Sequence, residues 1–269
     1  MNSLGRIPFF WPPLNAGDDD DILHRKIGAT ATYLDIWLMR RVVNYIRVSY
    51  SNVSYAMWVL CRDIRNKPLN ELIDILQERL EDDDDATFEG SPSRGRTGIE
   101  GLFLNQFTRR YIFHLLARIT SYVEVGSGRP EQFANYVNRR VKNPFDIEHI
   151  WAADYSPYMH EYPEEQDFWD YRNHVGALLL LPADVNRSYQ DKPFKAKAPH
   201  YAKQNFYAAS LTASTYEHQP QFIGFADREG LPFKPYRKFG DVELGERIDL
   251  VLALTNKVWA TDRLESYRA

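Results

Sequence analysis

The chain has one cysteine, Cys61, in 269 residues. That excludes an internal disulfide and any thiolate zinc cluster, so a bound metal would need nitrogen and oxygen ligands. No run reaches the roughly 18 consecutive apolar residues of a membrane span, and the opening "MNSLGRIPFFWPPLN" lacks a basic segment followed by an apolar one. The expectation is a cytoplasmic protein with no membrane partner. Charge of one sign is also missing. Thirty-three Lys and Arg stand against 37 Asp and Glu, a net charge of -4, which argues against coating nucleic acid through bulk charge but leaves room for a local basic site. No Gly-Lys-Ser/Thr phosphate loop occurs, since "SPSRGRTG" has the glycines without the lysine and hydroxyl. Internal repeats are absent too.

What is present is enough apolar material, at 44% hydrophobic and 14% aromatic residues, to fill a core in two packed units. Residues 22–62 read as helical, "PLNELIDILQERL" as an amphipathic helix opened by Pro68, and "GLFLNQFTRRYIFHLLARITSYV" as a further helix. Between the last two, "DDDDATFEGSPSRGRTG" reads as a long solvated loop, and the aspartate run at 18–21 as another. The texture changes near Asn143. "FDIEHI" and "VGALLLLP" read as strands separated by the polar insert "EEQDFWDYRN", and the second is apolar enough to be buried on both faces. A last amphipathic helix is expected over Val242 to Leu264. The fold class is therefore α+β, mainly α.

Taken in order, "DIEHI" (146–150), "RNHVGALLLLP" (172–182) and "DVNRSYQDKPFKAK" (184–197) give a strand, a second strand, and a helix start bearing an asparagine. This is the order of a ββα-metal finger. Phosphodiester hydrolysis wants these residue types. Deprotonating water near neutral pH suits histidine, and a hard cation at the leaving oxygen needs oxygen ligands such as a Glu carboxylate and an Asn carbonyl. Adjacent strand residues point to opposite faces, so Glu148 and His149 share a site only if the strand bulges or ends there.

These residues resemble the HNH nuclease domain at the C-terminal end of GmrSD-like modification-dependent restriction and phage-defence proteins. They are especially similar to the nickase domain of SspE-type, phosphorothioate-linked effectors. The likeness covers residues 143–235, including "GLPFKPY", and divides the chain into a helical domain (1–142), the HNH domain (143–235) and a C-terminal helix (236–269). It implies His149 as general base, Glu148 as metal ligand, Asn186 as last member of the HNH set and second metal ligand, Mg²⁺ or Mn²⁺ as cofactor, and DNA as partner. The family reads Gly-Asn-Leu where this chain has Gly176-Ala177-Leu178. The missing Asn braces the loop carrying the histidine, and Asn173 in "YRNH" is a substitute for it. The Asp-Gly-x-Gln-Arg signature of the family's sensor and nucleotide-hydrolysing domain does not occur, so the chain is expected to be the effector half.

From Asn186 to Asn205 the chain carries Arg187, Lys192, Lys195, Lys197 and Lys203 against one acid, Asp191. Directly after a candidate metal ligand, Arg187, Lys192, Lys195 and Lys197 are expected to hold the phosphate backbone. A solvated basic face is the plainer reading of such a run. His160-Glu161 does not make a zinc protease site, because Pro163 breaks the helix such a motif needs. His174, beside an apolar strand, reads as a packed histidine. The functional reading is a metal-dependent DNA nickase, with a catalytically weakened DNA-binding or docking module as the alternative.

Overall fold

The computed structural model describes residues 12–83, 86–189 and 191–268. The first eleven residues of the opening stretch, and Asp84 and Asp85 of the second aspartate run, lie outside the described residues. The chain forms two compact units, one of residues up to 98 together with those from 259 onward, the other Ile99–Val258.

The first unit contains α1 (Asp20–Val43), α2 (Tyr50–Asp63) and α3 (Leu69–Glu81), with a 3-10 stretch at Thr261–Tyr267. Its core includes Ile36, Val43, Leu60, Leu72, Ile73 and Leu76, all fully buried. The aspartate run at 18–21 is not a plain loop. Asp19 caps α1 by accepting from the Ile22 N–H at 2.8 Å, Asp20 and Asp21 occupy the positive end of the helix dipole, and Asp18 pairs with the buried Lys26 ammonium at 2.8 Å. The helical run expected over 22–62 breaks between Val43 and Tyr50. There Asn44 donates its side-chain amide to the Arg40 and Thr87 carbonyls, and Tyr45 takes a left-handed φ of 54° that cannot continue a right-handed helix. The stretch after α3 is also tighter than a solvated loop, since Ala86 and Phe88 are buried. Gly98, at φ 60°, passes so near Phe88 that a Cβ would fall 2.2 Å from its carbonyl oxygen.

The second unit is mainly helical around a two-stranded antiparallel hairpin. In chain order it contains α4 (Arg109–Gly126), α5 (Phe133–Val137), β1 (Phe145–His149), α6 (Glu165–Asn173), β2 (Leu178–Pro182), α7 (Ala183–Tyr189) and α8 (Phe194–Tyr201). There follow α9 (Phe206–Ala209), α10 (Ala213–His218), α11 (Pro220–Glu229) and α12 (Asp241–Val258). The hairpin followed by α7 is a ββα unit. β1 and β2 pair in the register Phe145↔Pro182 through His149↔Leu178. Leu178 to Leu181 are all fully buried, as a strand covered on both faces requires.

Three features differ from expectation. The insert between the strands is helix α6, which buries Phe168 on one face. "VGA" is a 3-10 turn, so β2 begins only at Leu178. The final helix stops at Val258, and the 3-10 stretch from Thr261 is separate from it.

Candidate active site

β1 carries the two candidate residues on its last two positions, and its pairing runs without a bulge through His149. Alternation therefore sends their side chains to opposite flanks. Glu148 enters the interior, 4% exposed. Its Oε1 accepts from the Lys197 Nζ and the Tyr201 hydroxyl of α8, each at 2.8 Å. Lys197 also donates to the His149 carbonyl at 2.6 Å, so one buried ammonium holds both the carboxylate and the strand backbone. Burial pulls the Lys197 ammonium below its usual range, and Glu148 opposes that. Desolvation and the Glu148 charge push the Tyr201 phenol far above its usual range, which keeps it a neutral donor.

His149 is half-buried on the other flank. Its Nε2 lies 3.0 Å from the Oδ1 of Asn173, the last residue of α6. An amide oxygen only accepts, so the imidazole proton sits on Nε2 and Nδ1 keeps its lone pair. Burial pulls the imidazole down from 6.5 to about 3, helped by the positive charges of Arg172, Lys197 and Arg109 and opposed by the Asn173 hydrogen bond. The ring is therefore neutral at pH 7, and the same surroundings weaken it as a base in this arrangement. Arg172 and Arg109, both near this ring, lay outside the sequence reading. Arg172 was hidden because its segment read as a polar insert. The "YRN" end of a helix joining the two strands is the only signal that would have found it.

An aromatic cluster fixes this flank. Trp151, two residues past the histidine, stacks on Phe168 of α6 with centroids 5.7 Å apart and an angle of 11°, lies 5.3 Å from Tyr158, and donates its indole N–H to the Phe239 carbonyl at 2.9 Å. Ala177, where the resemblance leads one to expect asparagine, works through its backbone. Its carbonyl accepts from the Ile150 N–H at 2.9 Å and its N–H donates to the His174 carbonyl at 2.8 Å. His174 is a packed histidine, 3% exposed, with Nε2 donating to the Glu100 carbonyl and Nδ1 accepting from the Gly176 N–H.

Asn186 lies on α7, where its amide nitrogen donates to the Ile147 carbonyl at 2.9 Å. His149 thus sits at the Leu178 end of the hairpin, Asn186 is tied to Ile147 in the middle of β1, and Glu148 turns away from His149. Of the expected phosphate contacts, Arg187, Lys192 and Lys195 are exposed. Lys197 is 1% exposed and committed to Glu148, so in this arrangement it is not on the basic surface. The same pair decides the fit of a divalent cation. A metal on Glu148 would meet the Lys197 ammonium 2.8 Å from Oε1, leaving the neutral Asn186 oxygen as the one expected ligand not already engaged. Among the described residues no three His, Cys, Asp or Glu side chains converge as a metal cluster. The Glu148–Asn186 pair as arranged does not fit the ion.

The family model described as GmrSD restriction endonucleases, C-terminal domain, matches residues 63–223, more than half of the chain, including the hairpin, α6, α7 and α8. No curated protein and no solved structure matches it.

Proposed function

The chain belongs to the family of GmrSD restriction endonuclease C-terminal domains, whose substrate is DNA, and from that premise we propose that it nicks DNA, one strand per active site, as the effector of an antiphage restriction system. The observation that supports this reading is His149, an imidazole held by Asn173 at the end of the hairpin and only half-buried on its outer flank. In the proposed reaction the free lone pair on Nδ1 takes a proton from water. The water oxygen forms its bond to phosphorus as the bond to the 3′ oxygen breaks, and the charge of Arg172 offsets the negative charge that accumulates. Arg187, Lys192 and Lys195 hold the backbone of the strand. Endonucleases of this kind imply a divalent metal, with Mg²⁺ or Mn²⁺ expected; engaging Glu148 would require Lys197 to release it. Similarity to SspE-type effectors adds phosphorothioate-linked defence as the setting and a separate sensor and nucleotide-hydrolysing domain as partner.

The test is cleavage of supercoiled plasmid with Mg²⁺, Mn²⁺ or EDTA by wild type, His149→Ala and Asn186→Ala. The expected result is conversion to open circle that is lost with EDTA and with His149→Ala, while DNA binding survives in that variant. Cleavage retained by His149→Ala refutes the assignment. The second reading, a binding module without activity, draws on Ala177 in place of the family's asparagine and on the Lys197–Glu148 pair. It predicts bound but intact DNA under every metal, and Ala177→Asn is the variant that would restore cutting.

A further inference from the structure

Helix α2 buries little of itself. Met57 and Leu60 are its buried residues, whereas Tyr50, Tyr55 and Trp58 are 87%, 74% and 59% exposed. Tyr55, Trp58 and Arg62 follow one another at steps of three and four and so lie along one face. Their side chains are already ordered as a ladder. The Tyr55 and Trp58 rings stack with centroids 6.2 Å apart and an angle of 24°, and the Arg62 guanidinium lies 5.6 Å from the Trp58 ring. Exposing three large aromatic rings on one helix is a cost that calls for a ligand.

Charge says what kind of ligand. Between Arg40 and Lys67 the chain carries Arg40, Arg41, Arg47, Arg62, Arg65 and Lys67 against the single acid Asp63, in a protein whose net charge is -4. Some of this is neutralised: Arg41 pairs with Asp83, Lys67 with Glu71, and Arg62 with Asp63. Arg47 and Arg65, flanking α2, are exposed and have no ion-pair partner among the described residues. An anionic lipid or acidic protein surface would match the cations alone, whereas the ordered ring ladder asks for flat π faces beside the charge. Unpaired bases on an anionic backbone offer a flat ring face to each aromatic and a phosphate to each arginine.

We propose that the α2 face is a single-strand binding platform, on which bases of an unpaired stretch of DNA stack on Tyr55 and Trp58 while Arg47 and Arg65 contact the flanking phosphates. The proposal takes DNA as the substrate from the functional reading above but does not depend on cleavage. It assigns a binding role to a part of the first unit well away in sequence from His149.

The test measures binding in EDTA, where cutting plays no part, using the full chain, fluorescein-labelled (dT)₁₂ and a 12-base-pair duplex. Stacking at about 1–3 kcal/mol per base predicts that Trp58→Ala weakens (dT)₁₂ binding by roughly 5- to 160-fold, that Trp58→Phe recovers most of it, and that the duplex is unaffected. Loss of two phosphate contacts in Arg47→Ala/Arg65→Ala should flatten the salt slope for (dT)₁₂ by about 1.4. Phe107→Ala, which removes another ring that is 74% exposed, should change nothing. Equal affinity of Trp58→Ala and wild type for (dT)₁₂ overturns the proposal, as does an equal loss on the duplex. So does self-association of the wild type that Trp58→Ala abolishes, which would assign the face to a second copy of the chain. A plasmid that stays intact while (dT)₁₂ binding follows Trp58 would fault the nuclease reading and leave the platform standing.

Discussion

The two flanks of β1 are built from neighbouring residues and opposite physics. On the α8 side, Glu148, Lys197 and Tyr201 form a closed, charged and fully buried set. On the α6 side, His149 is half-buried and meets a single neutral partner, Asn173. One flank anchors the strand; the other leaves a lone pair available. The difference shows how a hairpin can hold a half-buried imidazole on one flank while the residue before it ties the strand to α8 on the other. A charge pair sealed from water is weak support for overall stability compared with apolar packing, but breaking it by removing one member is severe.

The largest expected effect comes from breaking the anchoring flank. Lys197→Met leaves the Glu148 charge unpaired in the interior, and chemical denaturation should show a loss of about 3–5 kcal/mol. Adding Glu148→Gln should recover much of it, and a double variant as unstable as the single one would mean that the pair is not what Lys197 contributes. Next in size is a pH effect centred on His174. Burial holds its pKa below 6.5 in the folded chain, and its bond from the Gly176 N–H requires a neutral ring. The unfolded chain takes up that proton first as pH falls, so the stability this histidine contributes is complete above about 6.5 and declines below it, by at most about 1.4 kcal/mol per pH unit. Thermal melts from pH 8 to 5 should show a shallower decline for His174→Gln than for wild type, and parallel curves would remove His174 from the account.

The chemical flank should respond in the reverse sense, with function lost and fold kept. Asn173→Ala removes one hydrogen bond, for about 0.5–1.5 kcal/mol of stability, yet it frees the imidazole to rotate and should lower plasmid nicking at unchanged DNA affinity. Cleavage at the wild-type rate would show that the aromatic packing around Trp151 alone positions the ring. The smallest effect contrasts two lysines only two residues apart. Lys195→Ala, on the exposed side of α8, should change stability by no more than about 0.5 kcal/mol and flatten the salt dependence of duplex binding by about 0.9. If Lys195→Ala destabilises as Lys197→Met does, the contrast between the surface and buried sides of α8 fails.

How much of this was legible depends on the range of the interaction. The hairpin was visible because its signals are local: four consecutive leucines demand a strand covered on both faces, and the alternation in "DIEHI" supplies its mate. Asn186 at the start of the following helix was readable for the same reason. The end of α1 was not, because Tyr45 is neither glycine nor proline and its left-handed φ follows from the hydrogen bonds of Asn44 to groups as distant as Thr87. Helix α6 was missed because only Phe168 is buried on it, too weak a stripe to show a helical period. Lys197 looked like its exposed neighbours because its partner lies 49 residues back in the sequence. Local composition distinguishes a basic run from a basic run with one member turned inward only when the distant carboxylate is known.

That separation also sets an order of events in the making of the chain. Residues 145–149 emerge from the ribosome well before Lys197 and Tyr201, which lie 49 and 53 positions from Glu148, an interval of about 3 to 10 seconds at ordinary rates of synthesis. Until α8 arrives, Glu148 has no ammonium to enter the interior with, and the hairpin that carries His149 lacks its anchor. A chain halted at residue 195 or 196 therefore carries His149, Asn173, Arg172 and the exposed cations through Lys195, but neither Lys197 nor Tyr201 to hold Glu148. The strand that carries His149 is thus tied down on this flank only once α8 has been made.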